Sequence, residues 1–369
     1  MKYINKFSTS ADYQAFTEGG GYVTPNICYV EESDGIVMKP YVKPPTPPYL
    51  IIEALEDGLT VSYDSYGCEY CVNGDYNWRT LATNEETESI AVGQTLYFKR
   101  VQVKGEGSGT FTISKKCNLN GNCMSMVFGD EAEGKTDLSE YPMCFKYLFD
   151  GCETIVSVND DFLPATTLAP YCYSNMFRDC RNLIKAPKLP AIILAERCYE
   201  FMFNICPSLT TAPELPATTL APYCYLSMFY STSLTTAPEL PATTLADGCY
   251  DTMFGSTLLT TAPELPATTL ADGCYGAMFI SCTSLTTAPE LPATTLTEMC
   301  YAMMFQNCKN LNYIKMLATD ITASMALTRW VKNVSSTGTF VKNTNMDTLP
   351  SGENGIPVGW TVVNETISM

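Results

Sequence analysis

From Cys144 to Leu311 the apolar residues fall on a fixed frame. Leu-Pro recurs at Leu163, Leu189, Leu215, Leu240, Leu265 and Leu291, a period of 25 or 26 residues. Cys-Tyr follows at Cys172, Cys198, Cys224, Cys249, Cys274 and Cys300, and each Cys is followed four residues later by Met-Phe. An earlier, degenerate copy shows as Cys144-Phe145, Leu148-Phe149 and Cys152. A fixed period in this range signals stacked supersecondary units. Within one unit Ala169, Cys172, Tyr173, Met176, Phe177 and Cys180 occupy offsets 0, 3, 4, 7, 8 and 11. That spacing predicts one face of a helical segment of about three turns, with Thr166 or Thr167 able to cap its start. The variable pairs between them, Ser174-Asn175 and Arg178-Asp179, are expected to face water. The next run, SLTTAP, predicts a brief strand that ends in a proline turn, with Leu209, Ala212 and Leu215 inward and Thr210 and Glu214 outward.

Other patterns flank this array. Tyr49 to about Gly129 reads as short β-rich runs (YLIIEAL, LTVSYD, CEYCVNG, LYFKRVQV, TFTISKK) separated by Asp-Gly, Asn-Gly and other glycine-bearing turns. This spacing predicts an immunoglobulin-like or fibronectin-like sandwich, with Trp78 and the tyrosines as core aromatics rather than a ligand platform. Before it, residues 1–40 offer a helix starting near Thr9 or Ser10 and a small hairpin around Ser33-Asp34-Gly35. Residues 41–48, YVKPPTPP, read as a stiff spacer. After Leu311, Thr322–Val334 carries an amphipathic helical pattern, and TGTFVKN and IPVGWTVVN read as strands. Together these form an end cap over the last core face. The expected organisation is an N-terminal attachment segment (1–40), a Pro-rich linker (41–48), an all-β sandwich (49–129), an α/β solenoid of about seven units (130–311) and a cap (312–369).

Charge and composition narrow the function. The formal net charge is -17, and between Leu209 and Cys308 there is no Lys or Arg against eight Asp and Glu. Phosphate backbones are bound by cationic side chains, so nucleic acid is excluded as a partner of this region, and anionic membranes are disfavoured. Histidine is absent, which removes Ser-His and Cys-His catalysis and His-ligated metals. Twelve of the 17 cysteines sit at fixed repeat positions and read as small buried hydrophobes. Cys68 and Cys71 form a Cys-x-x-Cys on a predicted strand, where residues three apart point to opposite faces, a poor metal or redox arrangement. The opening MKYINKFSTSADYQAF has no apolar signal core and no later run is long enough to span a bilayer. The expectation is synthesis and retention in the cytoplasm unless a larger assembly carries the protein out.

The stretch LTTAPELPATTL occurs four times without change, at Leu209–Leu220, Leu234–Leu245, Leu259–Leu270 and Leu285–Leu296. Stacking the units sets Thr210, Thr235, Thr260 and Thr286 in one ladder and Glu214, Glu239, Glu264 and Glu290 in another, about 4.8 Å per rung for paired strands. These eight residues are the candidate contact surface. A glutamate ladder repels itself, so it is solvated, splayed by twist, or bridged by a cation such as Ca²⁺. No other cofactor is indicated.

The unit L-x-x-A-P-x-L-P-x-x-x-L-x-x-x-C-Y-x-x-M-F-x-x-C-x-S-L resembles the BspA-like leucine-rich repeat. Met176-Phe177 and its equivalents stand where Ala-Phe is usual in that family. Cys180, Cys206, Cys282 and Cys308 match its Cys, while Thr232 and Thr257 replace it. The period is two or three residues longer than usual. The flanks WVKNVSSTGTFVKN and GIPVGWTVVN look like borders of such arrays in gut Bacteroides-type bacteria and their phages. The opening KFSTSADYQAF is similar to N-terminal segments of virion proteins in those phages. The resemblance implies a leucine-rich-repeat solenoid, adhesion to a host or mucosal glycan or protein, docking to other virion proteins through the N-terminal segment, homo-oligomerisation, and a virion-surface location without membrane insertion. A bacterial cell-surface adhesin of the same repeat class is the alternative. A carboxylate enzyme would need two converging acids in a cleft, and no such pair is identifiable.

Overall fold

The structure, a computed structural model, describes residues 27–32, 35–40, 49–100, 107–346 and 348–365. The chain forms two compact units, residues 1–47 and 48–369. In the first, β1 (Ile27–Glu32) and β2 (Gly35–Pro40) pair antiparallel, as expected of the hairpin. The helix anticipated near Thr9 and the Pro-rich spacer lie outside the described residues.

The second unit is mostly β with very little helix. Its strands are β3 (Leu50–Ala54), β4 (Val61–Tyr63), β5 (Cys68–Val72), β6 (Arg79–Leu81), β7 (Thr95–Arg100), β8 (Phe111–Ile113), β9 (Cys117–Gly121) and β10 (Ile155–Val158), with a four-residue helix α1 (Ser125–Phe128) after β9. Six of these strands form one sheet in the order β10-β9-β3-β7-β5-β6, and β4 and β8 form a separate ribbon. Strand alternation holds: Leu96, Phe98 and Arg100 of β7 point into the core while Tyr97 and Lys99 stay partly exposed. The joint to the repeats is β10, which pairs parallel with β9 and bridges on to the next unit through Ser157 and Lys185. One hydrophobic core therefore runs from Leu50 to Trp360.

The repeat segments expected to be α-helical are not. Each is a run of turns with two kinds of hydrogen bond in alternation. Cys172, Ser174, Met176 and Arg178 donate their N–H three residues back, to Ala169, Tyr171, Tyr173 and Asn175. Tyr171, Tyr173, Asn175, Phe177 and Asp179 donate instead to the next unit, at Glu196, Cys198, Glu200, Met202 and Asn204. Every fourth residue (Tyr171, Asn175, Asp179) has left-handed backbone, with φ of 59°, 58° and 57°. The first such residue of each run is Met143, Tyr171, Arg197, Tyr223, Gly248, Gly273, Met299 or Met325, so eight runs stack among the described residues.

Spacing explains the outcome. Equivalent rings in the Tyr row, Tyr173 to Tyr301, lie 5.7–6.1 Å apart, whereas packed α-helices keep their axes about 8–10 Å apart. Units this close must share backbone hydrogen bonds. The offsets 0, 3, 4, 7, 8 and 11 also fit a four-residue period without the drift that 3.6 residues per turn would introduce. Left-handed backbone costs an L-residue about 1–2 kcal/mol, offset here by saturating each alternate N–H on the neighbouring unit. Ser256 (φ 58°) is a half-exposed example whose N–H reaches Ile280 O at 2.8 Å. Ser256→Gly should leave stability unchanged or raise it by up to about 1 kcal/mol in urea unfolding, where a glycine inside a helix would cost about that much.

The variable pair Ser174-Asn175, expected in water, is buried. Its polar atoms are tied to the next unit: Ser174 Oγ lies 3.3 Å from Glu200 Oε2, and Arg197 reaches Glu200 Oε1 at 2.6 Å. The cysteines are buried free thiols among the described residues, and burial pushes Cys206 up to about 12. Several donate across a rung, Cys206 Sγ to Phe177 O at 3.1 Å and Cys308 Sγ to Phe279 O at 2.9 Å. Where Thr replaces Cys the hydroxyl bonds its own rung, Thr232 Oγ1 to Phe229 O at 2.9 Å. A small residue with one donor fills this position in seven of the eight runs, and Val334 fills it in the last.

The end of the array also departs from expectation. Thr322–Val334 is the eighth run of turns, not a helix, although Ala326, Leu327, Trp330 and Val331 are buried as the pattern foretold. The strand side closes in a parallel sheet of β11 (Thr287–Leu291), β12 (Tyr313–Met316), β13 (Thr339–Asn343) and β14 (Thr361–Glu365). In the earlier units the predicted strands shrink to isolated bridges such as Thr236–Thr261, and a second bridge, Thr219–Thr244, forms beyond the Leu-Pro turn. Proline supplies no ladder N–H and is confined to sheet edges. Pro289 conforms, since β11 is the edge strand.

Candidate functional site

All eight candidate residues (Thr210, Thr235, Thr260 and Thr286, with Glu214, Glu239, Glu264 and Glu290) are exposed. The proline turn creates this arrangement: Leu209 and Leu215 are buried, and the polar residues between them are turned outward. Adjacent rungs touch, since Thr260 N donates to Thr235 O at 3.3 Å. The Glu row has cationic ends. Lys315 stands opposite Glu290 in register and its Nζ lies 3.2 Å from Glu290 Oε2 and 3.0 Å from Glu365 Oε1. One repeat before Glu214 the same position holds Lys188, paired with Asp160 at 3.3 Å. Repulsion along the row is thus relieved at its ends and by solvent. Among the described residues no three acidic or cysteine side chains converge as a metal-ligand group.

The turn side bears a feature that the repeat pattern did not single out. Large residues open most runs, but Gly248 and Gly273 are consecutive; the Tyr223 ring lies over Gly248, the space over Gly273 is open, and both glycines line a recess of about 360 Å³. Tyr223 and Met299 bound it, and Asp247, Asp251, Asp272 and Glu298 line it. Two of these acids have local structural work: Asp247 Oδ1 accepts from Asp272 N at 3.3 Å, and Asp272 Oδ1 from Glu298 N at 3.1 Å. Asp251 differs. Burial pushes its carboxyl above the ordinary carboxylate range, partly countered by a hydrogen bond from Thr252 Oγ1 at 2.5 Å. The signal was readable in the ADGCY sequence shared by two adjacent units.

The sign of the Asp251 shift sets a pH dependence. Folding favours its protonated form, so its contribution is full below the unfolded pKa and is lost as pH rises through the folded one. Asp251→Asn should melt above the parent at neutral pH, and the two should converge near about pH 3.

The aromatic residues expected in the sandwich core divide. Tyr63, Phe98 and Phe111 are buried there, with Phe111 also stacked on Phe149 at 5.5 Å. Trp78 and Tyr97 are only half-buried and Tyr76 is 61% exposed, so the expectation for Trp78 is corrected. Cys68 and Cys71 are buried on β5, their thiols pushed up by burial. No helix of the described residues is long and apolar enough to cross a membrane. No protein-family model, curated protein or solved structure matches the chain.

Proposed function

We propose that the chain is a non-enzymatic phage virion surface protein, a head or tail fibre or decoration protein, that presents its repeat face to a host or mucosal surface ligand. The observation that carries this reading is the pair of exposed, unvarying Thr and Glu rows. Core packing accounts for Leu209 and Leu215, but solvated positions such as Thr210 and Glu214 are free to vary, and across four units they do not. A regular row of hydroxyls and carboxylates suits a repetitive polar ligand, and several weak contacts in register add by avidity. The resemblance to BspA-like leucine-rich repeats supplies the adhesive role, and that of the opening segment to virion proteins supplies the docking role. On this reading residues 1–40 attach to other virion proteins, an immunoglobulin-like unit acts as spacer, and the particle presents homo-oligomers.

Two measurements test it. The protein should co-purify with phage particles. Its absence from virions together with presence on intact bacterial cells would overturn the virion reading in favour of a cell-surface adhesin. Glu214, Glu239, Glu264 and Glu290 changed together to Gln should lower cell or mucin binding at least tenfold with the fold intact. Unchanged binding would remove the Glu row as the contact surface.

A further inference from the structure

We propose that the outer face of the β unit, around Tyr49, Tyr76 and Trp78, is a binding site for a neutral saccharide. Tyr49 precedes β3, Tyr76 and Trp78 sit in the turn between β5 and β6, and Tyr97 and Lys99 are the outward positions of β7. The Tyr49 ring lies at their centre, 4.9 Å from Trp78, 6.3 Å from Tyr76 and 6.5 Å from Tyr97. The sheet's core is already filled from its other face by Leu96 and Phe98. This second aromatic cluster therefore stands on the surface.

Tyr76 is the most telling member. It holds left-handed backbone (φ 54°) and is 61% exposed. The two other non-glycine left-handed residues of the β strands and turns, Asn73 and Asn84, are of a type that tolerates this conformation. Tyr147, Tyr171 and Tyr223 hold the same conformation within the runs of turns, whereas Tyr76 holds it in an exposed turn of the β unit, and strained positions of this kind concentrate at binding sites.

Polar groups join the rings to a recess. Lys99 Nζ sits 4.3 Å from the Trp78 ring centroid, 2.9 Å from Asp130 Oδ2 and 3.4 Å from Glu69 Oε2. Tyr49 Oη donates to Asp130 Oδ1 at 2.9 Å. Beside them opens a cavity of about 190 Å³ lined by Gly67, Glu69, Lys99, Arg100, Gly129 and Asp130. Its charges balance, two carboxylates against an ammonium and a guanidinium.

This combination selects a ligand class. The C–H face of a pyranose packs on an aromatic ring, while its hydroxyls need donors and acceptors side by side, which paired carboxylate and ammonium groups provide. A cationic ligand would compete with Lys99 for the Trp78 face, and an anionic one would meet Glu69 and Asp130. A neutral sugar has neither conflict. The site is remote in sequence from the Thr and Glu rows and does not rest on the virion reading.

The test uses the full chain, two neutral probes (cellotetraose and mannotetraose), and sialylated and sulfated glycans as the charged arm. At least one neutral probe should bind saturably. Tyr76→Asn removes the ring with a residue suited to its backbone, and Asp130→Ala removes the acceptor. Each should weaken that binding about tenfold or more, with the melting temperature of Tyr76→Asn unchanged. The fourfold Glu→Gln protein should bind the neutral probe like the parent, which separates this site from the repeat face. No binding by any neutral probe, binding only of charged glycans, or equal binding by both variants would each overturn the proposal.

Discussion

Phe254→Ala should destabilise the protein by about 3–5 kcal/mol. Phe254 is fully buried and lies parallel to Phe229 and Phe279, each 5.9 Å away, with interplanar angles of 5° and 14°. It is one link in a row of rings from Phe111 through Phe149, Phe177, Phe203, Phe229, Phe254 and Phe279 to Phe305. Two effects combine. The alanine leaves a cavity whose walls are held by inter-unit backbone hydrogen bonds and cannot collapse, and both aromatic contacts vanish, each worth about 0.5–1.5 kcal/mol beyond area burial. Phe254→Leu should cost markedly less because it fills most of the space. Urea denaturation followed by far-ultraviolet circular dichroism reads the difference. A loss below about 1 kcal/mol for the alanine variant would mean that the row is not closely packed.

Trp330→Ala should be as damaging by a different route, because it opens the end of the stack. Trp330 is fully buried in the eighth run of turns, 6.2 Å from Phe305 and 6.1 Å from Phe340. Its Nε1 donates to Gly355 O at 2.8 Å. It thus joins the ring row to β13 and to the segment that returns into β14. Truncation costs about 3–5 kcal/mol for volume and about 1 kcal/mol more for the buried carbonyl left without its donor. Solenoid units contact only their neighbours, so the effect should be graded along the chain. Amide exchange should quicken first between Met299 and Glu365 and last between Cys144 and Cys180. Trp330→Phe should restore most of the packing and none of the hydrogen bond. Uniform acceleration along the whole unit would show that the core folds as one indivisible block.

The two variants also bear on what was legible in the repeat. Most of the inward set was readable: Cys172, Tyr173, Met176, Phe177 and Cys180 are all buried, and so are their counterparts through Cys308, whereas the Ala169 position is only partly buried at Ala195, Ala221, Ala246 and Ala271. The outward Thr and Glu rows were equally readable, since a polar residue beside a proline turn has only solvent to face. Backbone path was not. Offsets of three and four residues satisfy both an α-helix and a chain of four-residue turns, and one unit in isolation does not distinguish them. The same ambiguity made Thr322–Val334 look like a capping helix when it is one more run of the stack.

The sequence by itself determined the period, the buried Cys, Tyr, Met and Phe positions of the repeat, its outward Thr and Glu rows, and the strands β3, β4, β5, β7 and β8 of the β unit. Those properties depend on side-chain chemistry at fixed spacing, which the chain states directly. Only the tertiary structure decided where alternate N–H groups go, because their acceptors lie on the next unit, about 25 residues away. It also decided that Trp78 belongs to a surface cluster. Tyr49, Tyr76, Trp78, Tyr97 and Asp130 are scattered along the chain, and sheet pairing of β3, β5, β6 and β7 sets them on one face. Position along the chain fixes what each residue offers; pairing across the sheet fixes which residues can offer it together.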